Sequence, residues 1–509
     1  MLQRKWLSVL LSVALMLGLA ACNTGGGQQG DTSTAPGQEA NATKPKLKVL
    51  YPSQPEDYNT YPVAAVLEER TGYKVQYDML PADNPQDKLN IVIASGEEYD
   101  AIAVRGTSAD KALFADYAVR GALTDLTPLI DEYGPNIKKA LSEVTLDALT
   151  IDGKIYGIGN RTMEFVGGGL LIRQDWLDQL GLPLPTTVDE FVYVLEQFQE
   201  KDPGGNGGQN IPFSILGTDP FPANISGAFG LTNAWNEVDG ELLPRALAPT
   251  LEDYVAFMND LFQRKLLDND FVINKVANLK EKLTNGQAGV IPTTWAEVTP
   301  LVEAIKKNHP EAKLAFIPTL QGADGQMGLS AASGFDRITM IPKSAKHKED
   351  IIKWIDAMLE EETFKLVVLG EEGKHYTYEN EAYVPINPIF TDERNRANNF
   401  LIGLDEEKYP IYWQARVRKD PVMFEAYEFL NMKQPEEAAQ RDALRLAPYL
   451  PEFSKNSQSL DTLSNDTMVN LIFGSTSAGS LESFRQRFNA EGGEATVQEV
   501  NDWYKTSGN

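Results

Sequence analysis

Leu47-Lys48-Val49-Leu50-Tyr51, Tyr73-Lys74-Val75-Gln76-Tyr77 and Tyr99-Asp100-Ala101-Ile102-Ala103-Val104 are the three segments whose reading decides the fold. The first two alternate at period two and the third is a short apolar run, the two patterns that β-strands present. Between the first pair, Val63, Val66, Leu67 and Arg70 follow helical spacing and Gly72 stands where a helix C-cap favours positive φ. Between the second pair, Asp83 or Asn84 is suited to cap a helix with Pro85 in its first turn, Leu89, Val92 and Ile93 form its buried stripe, and Gly96 ends it. Strands separated by helices at this spacing predict an α/β fold with a largely parallel sheet. The first strand runs into Pro52-Ser53-Gln54-Pro55 and not into a glycine-rich turn, so no dinucleotide fingerprint is present.

A second set of elements follows Gly167-Gly168-Gly169, a glycine run suited to a flexible crossing between lobes. A strand at Leu170-Leu171-Ile172 leads into the amphipathic stretch Asp175 to Leu182. Thr187 with Glu190, and Thr250 with Asp253, have the spacing of helix caps ahead of the stripes Phe191, Val194, Leu195, Phe198 and Tyr254, Phe257, Met258, Leu261. Strands are predicted over 313–318 and 337–342, and Ile351, Ile352, Trp354, Ile355 and Met358 make one more buried helical face.

At the N-terminus, Arg4 and Lys5 precede an apolar run from Trp6 to Leu19 and the small residues Ala20 and Ala21, the parts of a secretory signal peptide over 1–21. That run is shorter than the ~20 residues a membrane-spanning helix needs. Cys22 is the only cysteine in the chain, and Leu19-Ala20-Ala21-Cys22 resembles the lipobox of bacterial lipoproteins, which implies diacylation of Cys22. Residues 22–45 are then the lipidated cysteine and a Gly/Gln/Ser/Thr/Pro-rich tether, too poor in apolar groups to order itself. About 460 residues remain, more than one core usually organises, which implies two lobes. The formal charge is −26; without Arg4 and Lys5, 44 basic face 72 acidic residues, −28. Such a balance excludes a nucleic-acid partner and makes a neutral solute the simplest ligand, unless a local basic cluster intervenes. His309, His347 and His375 are isolated and form no zinc motif.

The order of these segments is similar to that of the family 1 extracellular solute-binding proteins of ABC importers, in particular the large LipO-type lipoproteins related to alginate- and fructo-oligosaccharide-binding proteins. Leu67-Glu68-Glu69-Arg70-Thr71-Gly72, Gly169 to Leu177, Thr186-Thr187-Val188-Asp189-Glu190-Phe191 and Gly370-Glu371-Glu372-Gly373-Lys374-His375-Tyr376-Thr377 carry the resemblance. It implies a hinged two-lobed periplasmic-binding-protein-like fold with discontinuous lobes, 46–155 plus 320–378 and 156–319 plus 379–509. It also implies a monomer on the outer face of the cell membrane that delivers an oligosaccharide to ABC permease subunits. Two other readings stay open, a sugar receptor for a sensor kinase and an extracellular glycan-processing enzyme. With 72 acidic residues, carboxylate pairs arise from composition alone, and no nucleophile elbow or zinc helix supports an enzyme.

Aromatic side chains match the C–H faces of sugar rings, which selects Trp295, Trp235 and Trp413 as candidate ligand contacts. Trp295 follows an apolar strand and a Pro-Thr-Thr turn, the family's usual position for a cleft tryptophan; Tyr51 and Arg105 end the first and third strands of lobe one. No cofactor is required by this reading. The loop from Asp202 to Pro212 resembles the family's calcium loop, which implies oxygen ligands from Asp202, Asn206, Gly208 and Asn210. Gly204 occupies the third ligand position, however, and only one carboxylate remains.

Overall fold

The structure is a computed structural model that describes residues 44–82, 85–163, 165–474 and 480–506. The expected signal segment and Cys22, most of the expected tether, and the helix cap expected at Asp83 or Asn84 lie outside these residues. Leu47–Tyr51 pairs in parallel with Val75–Met79 on one side and Ala101–Arg105 on the other. Phe335–Met340 returns antiparallel beside Ala101–Arg105, and Gly157–Arg161 completes a five-stranded sheet. Leu47, Val49, Leu50 and Tyr51 are all buried, since helices cover both faces of the sheet. Lys48 is the exception, and its ammonium lies 4.1 Å above the Tyr99 ring and 3.2 Å from the Asp78 carboxylate.

The second lobe has a four-stranded sheet with Gly168–Arg173 and Ala288–Thr294 antiparallel at its centre, flanked by Leu314–Phe316 and Ile211–Phe213. Helices Val188–Lys201 and Leu251–Gln263 bury the predicted stripes Phe191, Val194, Leu195, Phe198 and Tyr254, Met258, Leu261. The Thr187 hydroxyl accepts the Glu190 N–H at 3.2 Å as the capping spacing requires, while the Glu190 carboxylate reaches one residue further, to the Thr186 N–H at 2.8 Å. Thr250 does not cap with its side chain. Its backbone is already helical, and its hydroxyl donates instead to the Phe229 carbonyl at 2.7 Å.

A three-stranded sheet of Phe165–Val166, Leu329–Ala332 and Ala439–Arg441 joins the lobes. Within the glycine run, Gly168 serves close approach: a Cβ there would lie 2.3 Å from the Thr293 carbonyl oxygen. The lobe boundaries differ from the sequence expectation in three places. Gly157–Arg161 belongs to the first sheet, so the first crossing comes after residue 161 and not at 156. Leu320 and Leu329 pack in the cores of the second lobe, which moves the return crossing later than 320. Phe390, Phe400, Tyr409, Tyr412 and Ala415 pack with Leu47 and Tyr51 in the first core, and from Val417 onward the chain packs in the second lobe. The physical reason is aromatic: the Phe400 ring stacks on Tyr58 at 4.4 Å and covers the end of the first sheet. At the expected end of the tether, the Lys44 amine donates to the Thr71 carbonyl at 2.8 Å.

His375, fully buried, fastens the segment that leads into this region. Its Nδ1 accepts the Glu371 N–H at 2.9 Å, so Nε2 carries the proton and donates to Glu393 at 2.9 Å. Gly370 makes this fit possible, with φ +84° and no Cβ, which would lie 2.4 Å from His375 Cγ. Gly370→Ala is expected to lower the unfolding free energy by about 1 to 3 kcal/mol, read from the urea midpoint; an unchanged midpoint would remove this constraint.

Candidate ligand-binding site

Ala288–Thr294 ends at Trp295, Phe165 lies on the first crossing strand, and Trp413 is on helix Tyr409–Arg418. These three elements meet in one aromatic group. Trp295 is edge-on to Phe165 at 5.7 Å, to Trp413 at 5.8 Å and to Tyr427 at 5.5 Å, while Trp413 stacks on Phe165 at 5.1 Å. Trp413 and Phe165 are half-buried and Trp295 is 8 % exposed. The Trp295 indole N–H is buried and has no hydrogen-bond partner among the described residues. Desolvating such a donor costs free energy unless an acceptor reaches it. Beside this group, Arg161 ends its strand 3.1 Å from Glu406 and, with Met163 and Tyr409, lines a cavity of about 220 Å³. A further cavity of about 180 Å³ lies among Lys111 and Phe335 of the first lobe and Asp442 and Phe453.

The remaining candidates separate. Tyr51 is 1 % exposed; its hydroxyl donates to the Phe400 carbonyl at 3.2 Å, and its ring packs edge-on with Tyr58 and Tyr77. It is a core residue, and burial raises its phenol far above the usual range. The expectation that Tyr51 faces a ligand is therefore corrected: Phe400, distant in sequence, covers the strand end. Trp235 sits in the hairpin Trp235–Val238/Glu241–Pro244, packs against Phe453, Leu242 and Leu444, and is apart from the Trp295 group. Arg105 is exposed at the end of its strand, opposite Arg337. Phe165 and Tyr427 were not singled out from sequence. Phe165 had a local signal, its place just before the glycine crossing; Tyr427 had none.

The loop after helix Val188–Lys201 holds its shape with protein groups. The Asp202 carboxylate accepts the N–H groups of Asn206 at 2.9 Å, Gly207 at 2.8 Å and Gly208 at 3.3 Å. These bonds, led by that from Asn206, hold its pKa below the usual carboxylate value. The Asn206 amide nitrogen donates to Asn210 Oδ1 at 2.6 Å and to the Gly286 carbonyl at 2.8 Å, and Asn210 donates to the Phe198 carbonyl at 3.1 Å. A Cβ at Gly204 would lie 2.5 Å from that amide nitrogen. Calcium takes six to eight oxygens and no amide nitrogen. Asp202, Asn206, Gly208 and Asn210 thus do not fit the ion as arranged: one carboxylate is present, its oxygens are engaged, and an N–H donor faces Asn210. Calcium or a chelator is expected to leave the thermal midpoint in place, whereas Asn206→Ala lowers stability by about 1 to 2 kcal/mol by stranding two acceptors. A calcium-dependent rise in the midpoint would reverse this conclusion.

Comparison with known proteins agrees with this architecture. The family model described as bacterial extracellular solute-binding protein matches residues 51–363. Lipoprotein LipO of Bacillus subtilis is 26% identical over 99% of this chain and 99% of its own length. The fructooligosaccharide ABC transporter substrate-binding protein FusA of Streptococcus pneumoniae is 31% identical, covering 69% of this chain and 68% of FusA. Among solved structures, that of the alginate-binding protein AlgQ2 superposes with a TM-score of 0.67 at 19% identity, over 92% of this chain and all of AlgQ2. The crossing strands, the two sheets and the family match lead to one conclusion: the chain belongs to the bacterial extracellular solute-binding proteins.

Proposed function

We propose that this protein binds an oligosaccharide between its lobes and hands it to an ABC permease, without chemical turnover, while anchored to the outer face of the membrane through Cys22. The observation that carries the reading is the Trp295 group. Indole and phenyl faces offer an apolar surface for pyranose C–H groups, and the Trp295 N–H, without a partner among the described residues, offers a donor for a sugar oxygen. The group draws residues from both lobes and from a crossing strand, so a ligand touching it contacts parts that move relative to one another when the hinge flexes. Such a ligand shifts an open–closed equilibrium by as much as it prefers the closed form. FusA and AlgQ2 are named for saccharide ligands and LipO is named a lipoprotein, which supports the same reading.

A thermal-shift screen over a glycan panel tests it, since a ligand specific for the folded state stabilises it by about 2.7 kcal/mol at a hundred times its dissociation constant. A stable complex with intact sugar is the expected result, and product release would overturn it. Trp295→Ala is expected to weaken binding of the best sugar about ten- to a hundredfold while the unliganded protein stays folded. A loss of about 3 to 5 kcal/mol in stability with unchanged affinity would make Trp295 a packing residue only. For the anchor, Cys22→Ser is expected to release the folded protein from salt-washed membranes of cells lacking the permease; full retention would refute lipidation at this residue.

A further inference from the structure

The first sheet's rim carries an accumulation of cations that the overall acidity of the chain does not suggest. Ligands of open α/β sheets gather beyond the carboxyl ends of the strands. The loop that follows Leu47–Tyr51 presents Glu56, and Arg396 pairs with it through Nε at 3.1 Å while its side chain remains 42% exposed. Arg416, on the same helix as Trp413, donates to Asn398 Oδ1 and to the Asn395 carbonyl. Lys419, at the end of that helix, donates to Asn395 Oδ1 at 2.5 Å. Arg418 donates to Gln414 at 3.0 Å, and Arg105 stands exposed on the same rim.

The choice of partners is informative. In a chain with 72 acidic residues, Arg416, Arg418 and Lys419 hydrogen-bond neutral amides and carbonyls, and none of the three joins an ion pair among the described residues. The carboxylates near them are Glu56, already engaged by Arg396, Asp336, Asp420 at the head of the next helix, and Glu428. Burial first, and then the like charges of Arg416 and Arg396, lower the pKa of Lys419, with Asp420 opposing. An ammonium has three donors and a guanidinium five, so most N–H groups of Arg396 and Lys419 have no protein acceptor among the described residues. Like charges held together by neutral groups are relieved by an incoming anion, and guanidinium forks match planar carboxylates.

We propose that the saccharide is acidic, its carboxylate groups held by Arg396, Arg416 and Lys419 while a sugar ring lies against the Trp295 group. This rests on the saccharide-binding reading above. It also replaces the neutral solute expected from net charge alone, because a local cluster sets the potential at the rim while the surplus acid groups lie elsewhere.

The test is calorimetric binding of trigalacturonate and trimannuronate, their methyl esters, a sulfated trisaccharide and uncharged trisaccharides to the full folded chain. One of the uronates is expected to bind about tenfold or more tightly than its ester, with affinity falling as salt rises. The double variant Arg396→Gln/Lys419→Gln, at partly exposed positions, is expected to lose about tenfold for that acid while keeping its unfolding midpoint. Equal binding of acid and ester, an unaffected double variant, or preference for the sulfated sugar would each overturn the proposal. Binding of uncharged sugars without the acids would overturn it and leave the saccharide reading in place. Binding of nothing in the panel would defeat both.

Discussion

Asn431 does for the hinge what a neighbouring strand would do. Its side-chain oxygen accepts the Val166 N–H at 2.7 Å and its amide donates to the Val166 carbonyl at 3.2 Å, completing the outer edge of the short strand Phe165–Val166. On its other side that strand pairs with Leu329–Ala332, which in turn pairs with Ala439–Arg441. Two crossings of the chain, at Phe165–Val166 and Leu329–Ala332, are thus held in one small sheet with Ala439–Arg441, and buried backbone polar groups without partners would be costly. The arrangement has a functional consequence, since Phe165 is placed beside Trp295 and Trp413 by the same two-residue strand. An element that links the lobes also supplies a wall of the candidate site.

The two lobes are stabilised in different ways around that link. The first buries a sheet on both faces, so its strands are nearly continuous in burial and its helices divide into two cores. The second relies on amphipathic helices, and on aromatic pairs such as Trp176 with Phe198 at 5.1 Å. Its surface loop at Asp202 is closed by an amide clasp, the Asn206 side chain donating to Asn210 Oδ1 and to the Gly286 carbonyl. The Lys111 ammonium reaches across to the Ala447 carbonyl at 3.4 Å, a second place where the first lobe meets the C-terminal segment.

Much of this was legible in the residues themselves. Period-two strands at 47–51 and 73–77, the apolar run at 99–104, the stripe at Phe191, Val194, Leu195 and Phe198, and the cap at Thr187 are local patterns, and each reflects forces acting within a few residues. Boundaries shifted by about two residues: the second strand is Val75–Met79 and the third Ala101–Arg105. Strand ends depend on the neighbour they pair with, and their partners lie far along the chain. Tyr51 shows the same limit at a candidate site. It ends a strand, where ligands gather, yet Phe400 covers it from 349 residues away.

The sequence alone determined the α/β fold class and supplied, as expectations, a crossing near the glycine run, the lipobox cysteine and the aromatic candidates for sugar contact, because all of these rest on composition, period or short motifs. Tertiary structure decided which aromatics share a wall, grouping Trp295, Trp413, Phe165 and Tyr427 and leaving Trp235 elsewhere. It also decided the local charge. Net charge is a sum over the chain, whereas a ligand meets the few ions within about a Debye length, ~8 Å at physiological salt. Arg396, Arg416 and Lys419 come together only because helix Tyr409–Arg418 lies against the segment from 395 to 398, and no summed composition contains that contact.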